Sequence, residues 1–144
     1  MQLRREGYEL IDDTSRMSFD TVFRRLHEEA YWSAGRERSV IERSWRNSSP
    51  YAILTEDGTT IGFARVVTDE ATFAWIADVF IESTHRGLGL GTWMMGALVE
   101  HWRARGVPRL LLATRDAHEV YQKVGFAPLA HPNRFMEIDT RGKF

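Results

Sequence analysis

The sequence predicts a mixed α/β fold on three observations. Glu56-Asp57-Gly58 separates two β-branched and aromatic runs, residues 51–54 and 60–67, as an Asp-Gly hairpin turn does. Residues 72–81 (TFAWIADVFI) are nearly all apolar apart from Asp78, which suits a central strand covered on both faces. Leu90, Met94, Leu98, Val99 and Trp102 lie on one helical stripe, which Gly106-Val107-Pro108 stops before a second apolar run at residues 110–113. Strand, helix and strand then form a right-handed parallel crossover.

The remaining elements follow in chain order. Residues 8–11 read as a short strand. Ser18 and Asp20 cap a helix whose apolar face is Val22, Phe23, Leu26 and Ala30, and a more polar helix covers residues 37–45. Beyond the crossover, residues 117–123 form a short helix that breaks at Gly125, and weaker strands are expected at residues 126–129 and 136–138. The four prolines fall between these elements and no repeat or low-complexity run interrupts them, so residues 1–144 read as a single domain.

Composition narrows the function. With 43% hydrophobic residues, and five Trp, four Tyr and eight Phe among them, the chain can build a core without metal or disulfide staples. A net charge of -1 offers no basic excess for a phosphate backbone, so nucleic acid is not expected as a partner. The absence of cysteine excludes disulfides, Cys-ligated zinc and any Cys thioester intermediate. No window approaches the roughly 18 apolar residues of a membrane span, and MQLRREGYEL has no apolar stretch behind its charges. A soluble, cytoplasmic protein without membrane contact is expected. The five histidines show no metal-ligand spacing; His118-Glu119 begins H-E-x-x-H, but Gln122 ends it, so no metal is expected.

The informative segment is His85-Arg86-Gly87-Leu88-Gly89-Leu90-Gly91-Thr92, between the apolar strand and the amphipathic helix. Its three glycines let a ligand approach the backbone, and the first amides of the helix point outward at the positive end of the helix dipole, so the loop is suited to an anion. A Walker loop would need Gly-Lys-Ser/Thr where Gly91-Thr92 stands. A Rossmann fingerprint fails too, because its third glycine falls on Thr92.

Arg-x-x-Gly-x-Gly after a strand resembles the coenzyme A loop of the GNAT superfamily of N-acetyltransferases. Tyr121-Gln122-Lys123-Val124-Gly125-Phe126 is similar to that superfamily's Tyr-x-x-x-Gly-Phe segment, and the order of elements agrees from about residue 60 to 129. Tyr31-Trp32 with Gly35-Arg36, and Thr114-Arg115-Asp116-Ala117-His118, resemble a bacterial branch whose acceptors are mostly undefined.

The resemblance implies a central, mostly antiparallel sheet flanked by helices. It implies acetyl-coenzyme A as cosubstrate, its pyrophosphate on the amides of Gly87, Leu88, Gly89, Leu90, Gly91 and Thr92 with Arg86 assisting, and its pantetheine beside Val79, Phe80 and Ile81. Side-chain identity at Leu88 or Leu90 should then matter little for phosphate binding, whereas bulk at Gly89 or Gly91 should block it. Thr114 stands where many members have an asparagine that bonds the pantetheine, and a hydroxyl replaces one such bond, not two; His118 is a candidate to help.

Without cysteine, direct attack by a primary amine of a small molecule, peptide or protein in a ternary complex is the expected route. Tyr121 is the candidate acid for the departing thiolate, carried over from the superfamily's tyrosine; the alternative is a core tyrosine of the short helix that packs on Phe126. Asp78 is either a base or a structural carboxylate that caps a neighbouring loop or pairs with an arginine. Glu29 is a second candidate for the base or pocket, or a solvated helix face. Tyr31, Trp32 and Trp45 are candidates to stack on the acceptor, or core. A non-catalytic acyl-coenzyme A binding module is the rival reading, and the weak last strands could pair across a homodimer.

Overall fold

The computed structural model of the chain describes residues 1–29 and 35–141. Six strands, β1 (Gln2–Arg5), β2 (Tyr8–Ile11), β3 (Ser49–Thr55), β4 (Thr60–Thr68), β5 (Ala74–Ile81) and β6 (Leu110–Leu111), lie side by side in chain order. Every pair is antiparallel except β5 with β6, where the crossover makes it parallel. The β3–β4 turn is built as its sequence suggests: Gly58 takes φ +86°, and the Asp57 carboxylate accepts from the Thr59 amide at 3.2 Å.

One face of the sheet is covered by α3 (Leu90–Ala104). Leu90, Met94, Leu98 and Trp102 are buried there against Tyr51, Ile53, Ala64, Val66 and Ile76, with Met95 in the stripe and Val99 only half-buried. The helix stops as a Schellman motif: Gly106 takes φ +87°, the Val107 amide donates to Trp102 O at 3.1 Å and the Gly106 amide to Arg103 O at 3.0 Å.

The opposite face is covered by α1 (Phe19–Arg24), the turn that follows it and α2 (Arg38–Arg46), which bury Val22, Leu26, Ile41 and Trp45 against Phe63 and Phe80. Ser18 caps α1 by accepting from the Thr21 amide at 3.3 Å. Asp20 does not share that role; it pairs with Arg38 at 2.8 Å. After Arg24 the backbone widens into a π turn, Arg25–Glu29, and Ala30 lies outside the described residues.

Three expectations are corrected. The apolar strand is not central: β5 is fifth of six, and β6 accompanies it only at Ala74 and Trp75. Nor is it covered on both faces, since Trp75 is exposed and Ala77, Val79 and Ile81 are half-buried. Its apolar length reflects a cleft beside it rather than flanking strands. Residues 126–129 and 136–138 form no strand, and Met136 and Ile138 stand almost fully exposed. Pro128 and Pro132 lack the amide a ladder needs, and two-residue β6 is too short to template a neighbour. The reading also passed over β1, whose QLRR carries no apolar alternation and which is held by pairing with β2.

β5 carries a bulge. Phe63 pairs with Phe80 but Arg65 with Ala77, so β5 holds one extra residue, and Asp78 absorbs the mismatch at φ +55°. The parity of the strand therefore flips. Ala74 and Ile76 pack toward α3, and after the bulge Val79 and Ile81 do so, while Phe80 turns to the other core. Among the described residues no helix is long and apolar enough to cross a membrane.

Candidate active site

Past Trp75 the free edge of β5 opens onto a cleft of about 580 Å³. Val79, Phe80 and Ile81 form one wall, the glycine loop and the start of α3 form the floor, and α4 (His118–Gln122) closes the far side through Val120 and Tyr121. The sequence-predicted strand, loop and tyrosine thus meet around one hollow.

The loop is shaped for close approach. Gly87 and Gly89 take φ +80° and +75°, conformations that disfavour any side chain, and Gly89 stands at the N-cap of α3. The first helical bond runs from the Trp93 amide to Gly89 O at 3.0 Å, so the amides of Leu90, Gly91 and Thr92 precede any intrahelical acceptor. Leu88 points outward, more than half exposed, whereas Leu90 is buried in the core and can offer the cleft only its backbone. Arg86 folds back: its Nε donates to Ile81 O at 2.8 Å and its guanidinium lies 5.2 Å from the Phe80 ring centroid. The first hairpin braces the loop from outside, with Arg5 Nη1 donating to Gly89 O at 3.3 Å and the Tyr8 hydroxyl 2.7 Å from His85 Nδ1.

A second cavity, about 440 Å³, lies on the other side of the β5 bulge. Arg36, Arg65, Asp78, Trp75 and Thr114 line it, and Val79, Asp116, Ala117 and Tyr121 line both hollows. Asp78, its side chain 2% exposed, receives Arg65 Nε on Oδ2 at 2.5 Å and Arg36 Nη1 on Oδ2 at 3.2 Å. Of its sequence readings, base, loop cap or arginine partner, the last is the one these contacts match. Arg36 is itself hung from the first helical region: His27 Nδ1 lies 2.7 Å from Arg36 O, and the Gly35 amide donates to His27 O at 2.9 Å.

Tyr121 packs edge-on against Phe126 with centroids 5.9 Å apart, and also stands where the two hollows join, so both of its sequence readings describe contacts it makes. Thr114 lines the arginine cavity rather than the glycine-loop cleft, and its Oγ1 accepts from the Ala117 amide at 3.0 Å, tying the loop that begins α4. His118 faces a separate groove beside Leu110 and Phe126. Tyr31 and Trp32 lie outside the described residues, as does the side chain of Glu29. Sequence reasoning missed Arg65, although it is the lone charge of an apolar strand just as Asp78 is; it gave Arg36 no role beyond its place in a family segment, and it missed Arg5. Among the described residues no cluster of three His, Asp or Glu side chains is placed to hold a metal.

The sequence model described as the "Acetyltransferase (GNAT) family" matches residues 19–126. The chain belongs to the GNAT acetyltransferase family. A GNAT-family chain from Xanthomonas campestris pv. campestris has a crystal structure similar over 94% of this chain and 95% of its own, at 32% identity and TM-score 0.87. A GNAT acetyltransferase from Elizabethkingia anophelis, solved with acetyl-CoA bound, shares the fold at 12% identity and TM-score 0.66, over 85% of this chain and 78% of that one. Among curated proteins, the uncharacterized N-acetyltransferase ycf52 of Porphyra purpurea is 37% identical over 77 residues, 51% of this chain and 44% of its own. The chain spans about two fifths of the length of the curated relatives it matches.

Proposed function

We propose that the protein transfers an acetyl group from acetyl-coenzyme A to a primary amine by direct attack in a ternary complex. The family supplies the reaction class and the donor; the observation that carries the reading is the meeting of two hollows at Val79, Ala117 and Tyr121. A binding module needs the first hollow alone, whereas a transferase needs both and a shared wall. The residues present suit this donor: amides at the start of a fifteen-residue helix for the pyrophosphate, a loop with no Cβ in the way at Gly87, and a free strand edge for the amide-bearing arm.

In this reading the acceptor nitrogen enters from the arginine cavity and bonds to the thioester carbon, a backbone N–H of the β5 edge steadies the oxygen, and the C–S bond breaks. Tyr121 stands at the junction to give the thiolate a proton or hydrogen bond. Asp78 acts as an anchor rather than a base, because taking a proton would discharge a carboxylate that two guanidinium groups share. One proton of the ammonium leaves to water in the open cavity before attack, and the second, shed by the nitrogen as the intermediate collapses, restores the Tyr121 phenol or goes directly to the thiolate.

Calorimetric titration with acetyl-coenzyme A, beside Gly89→Trp, tests the donor, and thiol release on adding amines tests the transfer. Micromolar binding lost in the variant and thiol release with an amine are expected; binding without release from any amine would leave the binding-module reading.

A further inference from the structure

We propose that the acceptor is a small amine that also carries an acid, a carboxylate or a phosphate, and that Arg65 together with Arg36 holds that acid. The inference rests on the acetyltransferase reading and names the class of its acceptor. It starts from a mismatch in the cavity wall. Asp78 engages Arg65 through Nε and Arg36 through Nη1, so both terminal nitrogens of Arg65 and Nη2 of Arg36 make no hydrogen bond among the described residues. These are largely buried groups, with side chains 15% and 23% exposed, and both line the cavity.

Among the described residues the charges do not cancel at the inner wall. Arg115 lies 3.9 Å from Asp116 at the rim, and Arg141 pairs with Asp139 at 2.6 Å, whereas Arg36 and Arg65 face the single carboxylate of Asp78. Among the described residues the wall is left with one surplus positive charge, in a protein whose net charge is -1. An anion that accepts from the Arg65 fork would supply the missing partner and would be held by charge-assisted bonds in a partly desolvated site. A polyamine or a lysine-rich tail would meet two guanidinium groups instead.

The register sets the size. Arg65 faces Ala77, and Val79, where the hollows join, is two residues further along β5, across the bulge at Asp78 and so no more than roughly 7 Å along the strand. An acid on the Arg65 fork and an amine at the junction are then only a few bonds apart, as in a small amino acid or an aminoalkyl phosphate. Trp75 and Val79 leave an apolar wall for the carbons between them. Asp78 serves as a positioning residue, because it locks the Nε edge of Arg65 and thereby aims the opposite edge into the cavity.

The test is a thiol-release panel on the full chain with saturating acetyl-coenzyme A. It contains glycine, β-alanine and phosphoethanolamine, the neutral counterparts glycinamide, β-alaninamide and ethanolamine, and spermidine. An acidic amine preferred over its neutral counterpart by a factor of 10 or more in kcat/KM is expected, with the carboxylate and phosphate arms telling the two acids apart. Arg65→Lys, which keeps a cation beside Asp78 but removes the fork, should raise KM for that amine about 10- to 100-fold while leaving kcat and the acetyl-coenzyme A Kd within a few-fold. Arg36→Gln should raise KM in the same sense and provides a second variant should the first fail to fold. Acidic amines no better than neutral ones, a panel in which none is acetylated, or variants with unchanged KM would overturn the proposal. Loss of acetyl-coenzyme A binding by the unaltered protein would instead sink the acetyltransferase reading on which it rests.

Discussion

The hydroxyl of Tyr8 lies 2.7 Å from Nδ1 of His85, a contact across 77 positions of sequence that ties the first hairpin to the start of the glycine loop. The two rings also meet edge-on, with centroids 5.6 Å apart. Tyr8→Phe keeps the ring and removes the bond. Acetyl-coenzyme A binding should weaken several-fold, while stability falls by no more than about 1.5 kcal/mol, the net worth of one such bond. Calorimetry and a denaturant titration on the same variant check both halves.

Gly89 and Leu88 are adjacent and should respond in opposite ways. Gly89 holds φ +75°, and a Cβ there would come within 3.4 Å of Arg5 Nη2, so Gly89→Ala should cost about 1 kcal/mol or more and disturb the brace on the loop. Donor affinity should drop with it. Leu88→Ala should leave affinity within about twofold, since its side chain points to solvent. Equal losses at both positions would argue against backbone recognition.

Tyr121→Phe should lower kcat about 100-fold, at the lower end of what one acid–base group contributes, with the acetyl-coenzyme A Kd nearly unchanged because the ring still packs on Phe126. Single-turnover thiol release separates this from a packing defect, which would move affinity and stability together.

Buried Tyr51 and half-buried His101 set opposite limits on stability with pH. Burial pushes the Tyr51 phenol up to about 12, above its ordinary value of 10.0, so the folded chain keeps a proton that the unfolded chain gives up. Stability from this group is complete below pH 10 and is lost as pH rises from 10 toward 12. His101 shifts the other way: burial first, then the Arg105 charge, hold it below 6.5. Its contribution is complete above pH 6.5 and declines as pH falls below that value. An ultraviolet titration should show a phenol ionising near 12 that Tyr51→Phe removes, and His101→Gln should flatten the acid side of the stability curve.

Leu98, with no exposed surface at the centre of the α3 stripe, tests the main core. Leu98→Ala should cost about 2 to 5 kcal/mol with the m-value unchanged. A cost under 1 kcal/mol would mean that this face collapses around the deletion.

Much of the frame was legible because it is written in local patterns. Asp57-Gly58 marked the hairpin, Ser18 the helix start and Gly106 the helix stop, each by backbone chemistry that acts within a few residues. The last strands were misread for the complementary reason. Alternating apolar residues such as Met136 and Ile138 satisfy a strand pattern, but a strand exists only where another backbone pairs with it. β1 shows the converse, a polar stretch made a strand by its neighbour.

The site divides along the same line. Arg86, Gly87, Gly89, Gly91 and Tyr121 could be singled out from the sequence because a glycine loop at a helix start and a tyrosine before Gly125-Phe126 are short contiguous motifs. What Asp78 touches was decided only in three dimensions. One extra residue in β5 places its carboxylate against Arg65 and within reach of Arg36, 42 positions away. A strand's register is set by the sum of its cross-strand contacts and not by any single residue, so a bulge, and the charge surplus it exposes, has no local signature in the chain.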